Sequence, residues 1–202
     1  KTPTQVMDDL GLFDHGGGGY HCIWLQEEDF DIFRQRGLYA VTCPGSNAKL
    51  ASGIAPVADL LRRGIPVAVG TDGPASNNCL DMFREMFLVT GLAKLREQDA
   101  AAVPAKEVLH MATVNGARAM GLTQCETLTV GQKADLIMID QRQPNMRPLS
   151  DPRKNLVYSG SKQNVCMTMI DGKILYENGR FCAAVEPEVI YEKVEKILNE
   201  MR

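Results

Sequence analysis

The chain has 202 residues, of which 45% are hydrophobic and 23% charged, and its formal net charge is −3. That length suits one large domain or two small ones with an ordinary folded core. Lys and Arg alternate with Asp and Glu, so no basic stripe suits a phosphate backbone and no polybasic tail suits an anionic membrane; no run approaches the ~18 apolar residues of a spanning helix. The expected partner is a small molecule or another subunit, with no nucleic acid and no membrane.

Residues 2–12 read as a short helix opened by Thr2-Pro3, with Val6, Leu10 and Leu12 on its apolar face. The run Gly16 to Gly19 is expected to be a loop before an apolar strand at 20–25. Phe30 and Phe33 predict a helix over 27–36, stopped by Gly37. A second strand is expected at 38–42, a helix at 56–63 and a third strand at 66–70. Short strands that are apolar on both faces and alternate with helices predict a parallel sheet. Two longer helices are expected at 80–95 and 104–120. From Leu128 onward the pattern changes to short strands at 134–140, 155–158, 165–170, 173–176 and 180–183, with Asp171-Gly172 and Asn178-Gly179 as turns. A terminal amphipathic helix is expected at 187–202, carrying Val189, Ile190, Val194, Ile197 and Leu198 on one face.

The six cysteines, Cys22, Cys43, Cys79, Cys125, Cys166 and Cys182, form no CxxC pair. They are expected to be buried and reduced, in a cytoplasmic protein. Lys1 opens no signal-peptide pattern, and the chain is expected to have lost an upstream segment.

Chemistry is expected at the ends of the parallel strands, where α/β folds gather their reacting groups. Gly70-Thr71-Asp72-Gly73 ends the third strand. A carboxylate there can bind a cation or take a proton from an activated water, although these four residues alone fit a turn-capping aspartate equally well. A lone His21 in an apolar strand is as a rule a hydrogen-bonded core residue. The other strand ends alter that reading: Pro44, Ser46 and Asn47 follow one, and Asp72, Ser76, Asn77 and Asn78 follow the other. His15 and His110 are expected to be structural or on the surface, and Lys49 and Arg118 solvated. Gly16 to Gly19 precedes its strand and is no dinucleotide fingerprint.

The segments HCIWL at 21–25, PGSNAKLASGIAP at 44–56 and GTDGPASNN at 70–78 resemble three consecutive signatures of the amidohydrolase superfamily. Within it they are most similar to the branch of 5-methylthioadenosine/S-adenosylhomocysteine deaminases and chlorohydrolases. TVNGARAMGL at 113–122, GQKADLIMID at 131–140 and the stretch 165–173 extend the resemblance over nearly the whole chain.

The resemblance implies an α/β fold: the C-terminal portion of a (β/α)8 TIM barrel over residues 1–124, part of a small β-sandwich over 125–184 and a C-terminal helix over 185–202. It implies that His21 and Asp72 are catalytic, that Asp72 binds a divalent metal, Zn²⁺ above all, and that Ser76 and Asn77 contact substrate. In such a site Asp72 takes the proton of the attacking water, His21 supports the attacked centre, and ammonia leaves an aminopurine nucleoside such as 5-methylthioadenosine or S-adenosylhomocysteine. An s-triazine chlorohydrolase or aminohydrolase, or an inactive fragment, is the alternative. The family's HxH pair, a further metal-binding His and the proton-shuttling Glu have no counterpart here. Activity is therefore expected only with the missing N-terminal half, which is the implied macromolecular partner beside self-association into a homo-oligomer.

Overall fold

The computed structural model describes residues 1–182 and 184–201. Its first part alternates helices and short strands: α1 (Pro3–Asp9), β1 (Gly18–Tyr20), α2 (Glu27–Arg36), β2 (Tyr39–Thr42), α3 (Pro44–Lys49), α4 (Val57–Arg62), β3 (Val67–Val69) and α5 (Pro74–Asn77). The strands lie in the order β1-β2-β3, and both pairs are parallel. A strand–helix–strand connection forces this arrangement, because parallel neighbours need a crossover. β3 is buried along its length and β2 at alternate residues. Leu38, Leu60 and Val67 have no exposed surface, Ile65 is buried, and Phe30 and Phe33 of α2 join the same core.

β1 differs from expectation. The strand uses Gly18 and Gly19 of the glycine run and ends at Tyr20, so the run is only partly a loop and residues 21–25 are not a strand. The cause is close approach: a Cβ at Gly18 would overlap the Tyr39 carbonyl of the neighbouring strand. His21 and Cys22 then turn away with φ of 65° and 47°.

α6 (Met82–Glu97) and α7 (Ala105–His110) follow, then a π turn at Met111–Asn115 and α8 (Gly116–Ala119). The single helix expected over 104–120 is thus interrupted. At the interruption buried Asn115 turns its Nδ2 to the Val67 carbonyl at 2.8 Å, serving the free edge of β3.

The later part holds an antiparallel sheet of β4 (Leu136–Ile139), β5 (Val165–Ile170), β6 (Lys173–Glu177) and β7 (Arg180–Phe181), in that order. The strand expected at 155–158 is instead part of α9 (Pro152–Tyr158). Asp151 caps that helix by accepting from the Arg153 N–H at 3.0 Å, and Pro152 occupies its first position. This start signal outweighs the short apolar stretch behind it. The expected strand over 180–183 reaches Phe181, and Ala183 lies outside the described residues. α10 (Pro187–Glu200) closes the chain with no buried residue; Arg202, in the expected range of this helix, lies outside the described residues.

All six cysteines are free, as expected, but only Cys22 and Cys43 are buried, while Cys182 is exposed. Burial pushes the Cys22 thiol up to about 12 and the Cys43 thiol up to about 11, so both stay protonated and act as packing groups. Among the described residues no helix is long and apolar enough to cross a membrane.

Candidate active site

His21 directly follows β1 and Asp72 stands three residues past the end of β3, at the same end of the parallel sheet. Asp72, like His21, holds a left-handed backbone, with φ of 62°. L-residues pay for that conformation, and such strain collects where side chains must be aimed. The result is a facing pair: His21 Nε2 lies 3.8 Å from Asp72 Oδ2, and both side chains are partly open to solvent.

Each member is held from α3, which starts where β2 ends. Asn47 Oδ1 sits 2.8 Å from His21 Nδ1. An amide oxygen accepts, so the imidazole donates Nδ1–H and turns Nε2 toward Asp72. Ser46 Oγ donates to Asp72 Oδ2 at 2.6 Å, and the Gly73 N–H donates to Asp72 Oδ1 at 2.7 Å. Ser46 and Asn47 are themselves buried. The hydroxyl of Ser46 above all, with Ser76 and the Gly73 amide, holds the Asp72 carboxyl down at about 2. The Ser76 hydroxyl also donates to the Gly73 carbonyl at 3.0 Å. Its single proton reaches Asp72 only by leaving that carbonyl, so Ser46 is the firmer support. Asp72 is therefore ionised at neutral pH.

The four residues singled out in the sequence do not all reach the mouth. His21 and Asp72 are brought together, and Ser76, half-buried, stands beside Asp72. Asn77 points inward. It is buried, and its Nδ2 donates to the Thr71 carbonyl at 2.7 Å and to Glu85 Oε1 at 2.8 Å. Its free space is that of a buried structural amide, not of a group presented to a ligand. His15 and His110 are on the surface. Lys49 is engaged by the Ala75 carbonyl at 2.9 Å and by Asn78, and Arg118 by Glu126.

Sequence reasoning missed Glu85. Arg84-Glu85 in α6 reads as an exposed charged pair, yet Glu85 has no exposed surface and binds beneath the mouth. The one available signal was its place in the first turn of a helix capped by Asp81.

Among the described residues no three His, Cys, Asp or Glu side chains gather to hold a metal ion. The donor set nonetheless fits part of one. An imidazole nitrogen and an ionised carboxylate face each other across an open gap, and both residue types are ordinary zinc ligands.

The chain matches the amidohydrolase family over residues 1–175. It is 43% identical to a 5'-deoxyadenosine deaminase of Methanosarcina mazei, over all of this chain and 46% of that protein. It is 44% identical to a 5-methylthioadenosine/S-adenosylhomocysteine deaminase of Caldanaerobacter subterraneus, over 97% of this chain and 45% of that protein. The crystal structure of an adenosine deaminase from Xanthomonas campestris with bound zinc superposes with a TM-score of 0.94 at 33% identity, covering all of this chain and 46% of that one. The zinc complex of atrazine chlorohydrolase from Arthrobacter aurescens superposes with a TM-score of 0.87 at 22% identity, over 96% of this chain and 43% of that one, a likeness of fold alone. The chain thus spans about half the length of the curated relatives it matches.

Proposed function

We propose, because the chain belongs to the amidohydrolase family, that the His21–Asp72 mouth is one share of a metal-dependent site that hydrolytically deaminates an aminopurine nucleoside. The observation that carries this reading is the pair itself: an imidazole Nε2 and an ionised carboxylate 3.8 Å apart beyond strand ends, each braced by its own buried partner. Relatives named for 5-methylthioadenosine, S-adenosylhomocysteine and 5'-deoxyadenosine support the substrate class.

In this reading residues 1–124 are the last strands of a (β/α)8 barrel, 125–184 part of a β-sandwich and 185–202 an appended helix. The half of the relatives' length that this chain does not span supplies the remaining ligands, since a catalytic zinc needs more protein groups than His21 and Asp72. Held in part by His21 and Asp72, Zn²⁺ would supply the Lewis acidity that makes a water nucleophilic near neutral pH.

The chain's own contribution to the proton traffic is the first transfer. Asp72, ionised, takes the proton of the attacking water through Oδ1 or Oδ2. Ser46 keeps Oδ2 aimed while the Gly73 amide fixes Oδ1. Nε2 of His21 faces the same gap, where, carrying a proton, it would donate to the oxygen added at the attacked ring carbon. Of the water's two protons one ends on the ring nitrogen and the other on the amine, which departs as ammonia, and the ring retains the oxygen of the water. Ser76 is the residue of the 74–77 turn that we assign to substrate contact; the buried Asn77 serves as support in place of the contact expected from the resemblance.

The test is a substrate panel on the zinc-loaded full-length protein. Ammonia release is expected from 5-methylthioadenosine, S-adenosylhomocysteine or 5'-deoxyadenosine, with atrazine left intact. Dechlorination of atrazine without ammonia from any nucleoside would sink the reading. Residues 1–202 alone are expected to bind little zinc and release no ammonia.

A further inference from the structure

Glu85 is a carboxylate with no exposed surface, and nothing in the proton traffic above uses it. Its two oxygens face two donors. Oε2 accepts the backbone N–H of Gly45 at 2.8 Å, and Oε1 accepts Nδ2 of Asn77 at 2.8 Å. Gly45 lies in the first turn of α3, beside the Ser46 that holds Asp72 and the Asn47 that holds His21. Asn77 ends α5 and also binds the Thr71 carbonyl, the residue before Asp72. One carboxylate therefore joins, from below, the turn that aims the site's two groups and the loop that carries one of them.

The fit is tight. A Cβ at Gly45 would overlap the Glu85 carboxylate, so a glycine is needed there for the amide to approach it. Burial pushes the Glu85 carboxyl up, and the Gly45 and Asn77 donors pull it back. A charge buried at such cost is replaceable by an apolar group of similar volume when stability alone is at stake. Here both facing groups are donors, so a group with two acceptors is required. Methionine offers neither, and glutamine offers one acceptor and one donor.

We propose that Glu85 is the positioning residue of the site: by bridging Gly45 and Asn77 it sets the placement of Ser46 and Asn47, and so the aim of Asp72 and His21. The proposal rests on the deaminase reading for its kinetic consequence but not for its geometric one. Displacing reacting groups by about 1 Å costs on the order of 100-fold in turnover while leaving substrate affinity nearly unchanged.

The experiment compares the full-length protein with its Glu85→Met and Glu85→Gln variants by kcat, KM, zinc content and crystal structure. Glu85→Met is expected to lower kcat by about 100-fold, with KM and zinc content kept. Its crystal structure should have lost the Ser46–Asp72 or the Asn47–His21 hydrogen bond. Glu85→Gln, isosteric and half-satisfied, should fall between it and the wild type, and it carries the test if Glu85→Met does not fold. Unchanged kcat in either folded variant, or a lower melting temperature with the kcat of the folded enzyme intact, would overturn the proposal by leaving Glu85 a purely structural group. If the wild type releases no ammonia, the deaminase reading fails by itself; the two hydrogen bonds, open or closed in the variant crystals, still decide whether Glu85 positions the pair.

Discussion

The strand ends of β1–β3 and the β4–β7 sheet make opposite use of polar and apolar side chains. Around the strand ends Thr42, Ser46, Asn47, Asn77 and Glu85 are buried; Ser46 and Asn47 hold Asp72 and His21, while Asn77 and Glu85 bind backbone and each other. In the antiparallel sheet Met167 is the one residue buried, while Ile137, Met138, Ile170 and Phe181 are exposed. Buried polar groups are costly unless each finds a partner. A region that accepts that cost is one that fixes directions, and the fixed directions here end at Asp72 and His21. Among the described residues the strands of the sheet bury no polar side chain; the nearest network, around buried Asn164, lies just before β5.

The largest effect that can break this contrast is catalytic. In the full-length protein Asp72→Ala is expected to cut ammonia release by at least about 100-fold, since in the proposed site it removes a proton acceptor as well as a ligand. His21→Ala should lower turnover more than it lowers zinc content. The corresponding change in the sheet, Ile137→Ala, should leave turnover as it was. Ammonia assays with metal analysis decide it, and a silent Asp72→Ala variant would remove the mouth from the chemistry altogether.

A second effect is on stability. Leu60 in α4 has no exposed surface, and Leu60→Ala should cost about 2–5 kcal/mol by removing contacts and leaving a cavity. Ile137, 52% exposed in β4, should cost no more than ~0.5 kcal/mol when changed to alanine. Urea unfolding of both variants compares them. Equal losses would mean that the sheet's exposed face is packed in the whole protein, where its apolar residues meet a partner.

How far each region could be read from residues follows the same division. α2, β2 and β3 announce themselves through apolar runs bounded by Gly37 and Gly64, because local pattern and tertiary burial agree there. The strand at 20–25 was misplaced because β1 is specified by backbone approach at Gly18, which an apolar count does not register. The strand at 155–158 failed because an Asp-Pro helix start outweighs a short apolar stretch. At the site, His21, Asp72, Ser46 and Asn47 were visible as polar residues behind strands. Glu85 was not, since its partners Gly45 and Asn77 are distant in the chain and a charge beside Arg84 looks solvated.

The smallest effect tests how each region holds a carboxylate. Asp72 is kept at about 2, from an ordinary 3.8, chiefly by the neutral hydroxyl of Ser46. Asp140, just past β4, is lowered by the Arg142 guanidinium, which donates to it at 3.0 Å. A folded-state pKa below the unfolded one adds stability that is present above pH 3.8 and is lost as pH falls through the folded value, about 2 for Asp72. The two should part on adding salt. At 1 M the Debye length is about 3 Å, so the exposed ion pair at Asp140 weakens, whereas a hydrogen bond from a neutral donor does not. Titration of the carboxyl carbons by NMR in metal-free protein should therefore move Asp140 back up with salt and leave Asp72 nearly fixed. Ser46→Ala should do the reverse, raising Asp72 toward 3.8 without touching Asp140. If salt moves Asp72 as far as Asp140, its charge is held by the neighbouring imidazole and not by Ser46, and His21, not α3, is what keeps the mouth's base ionised.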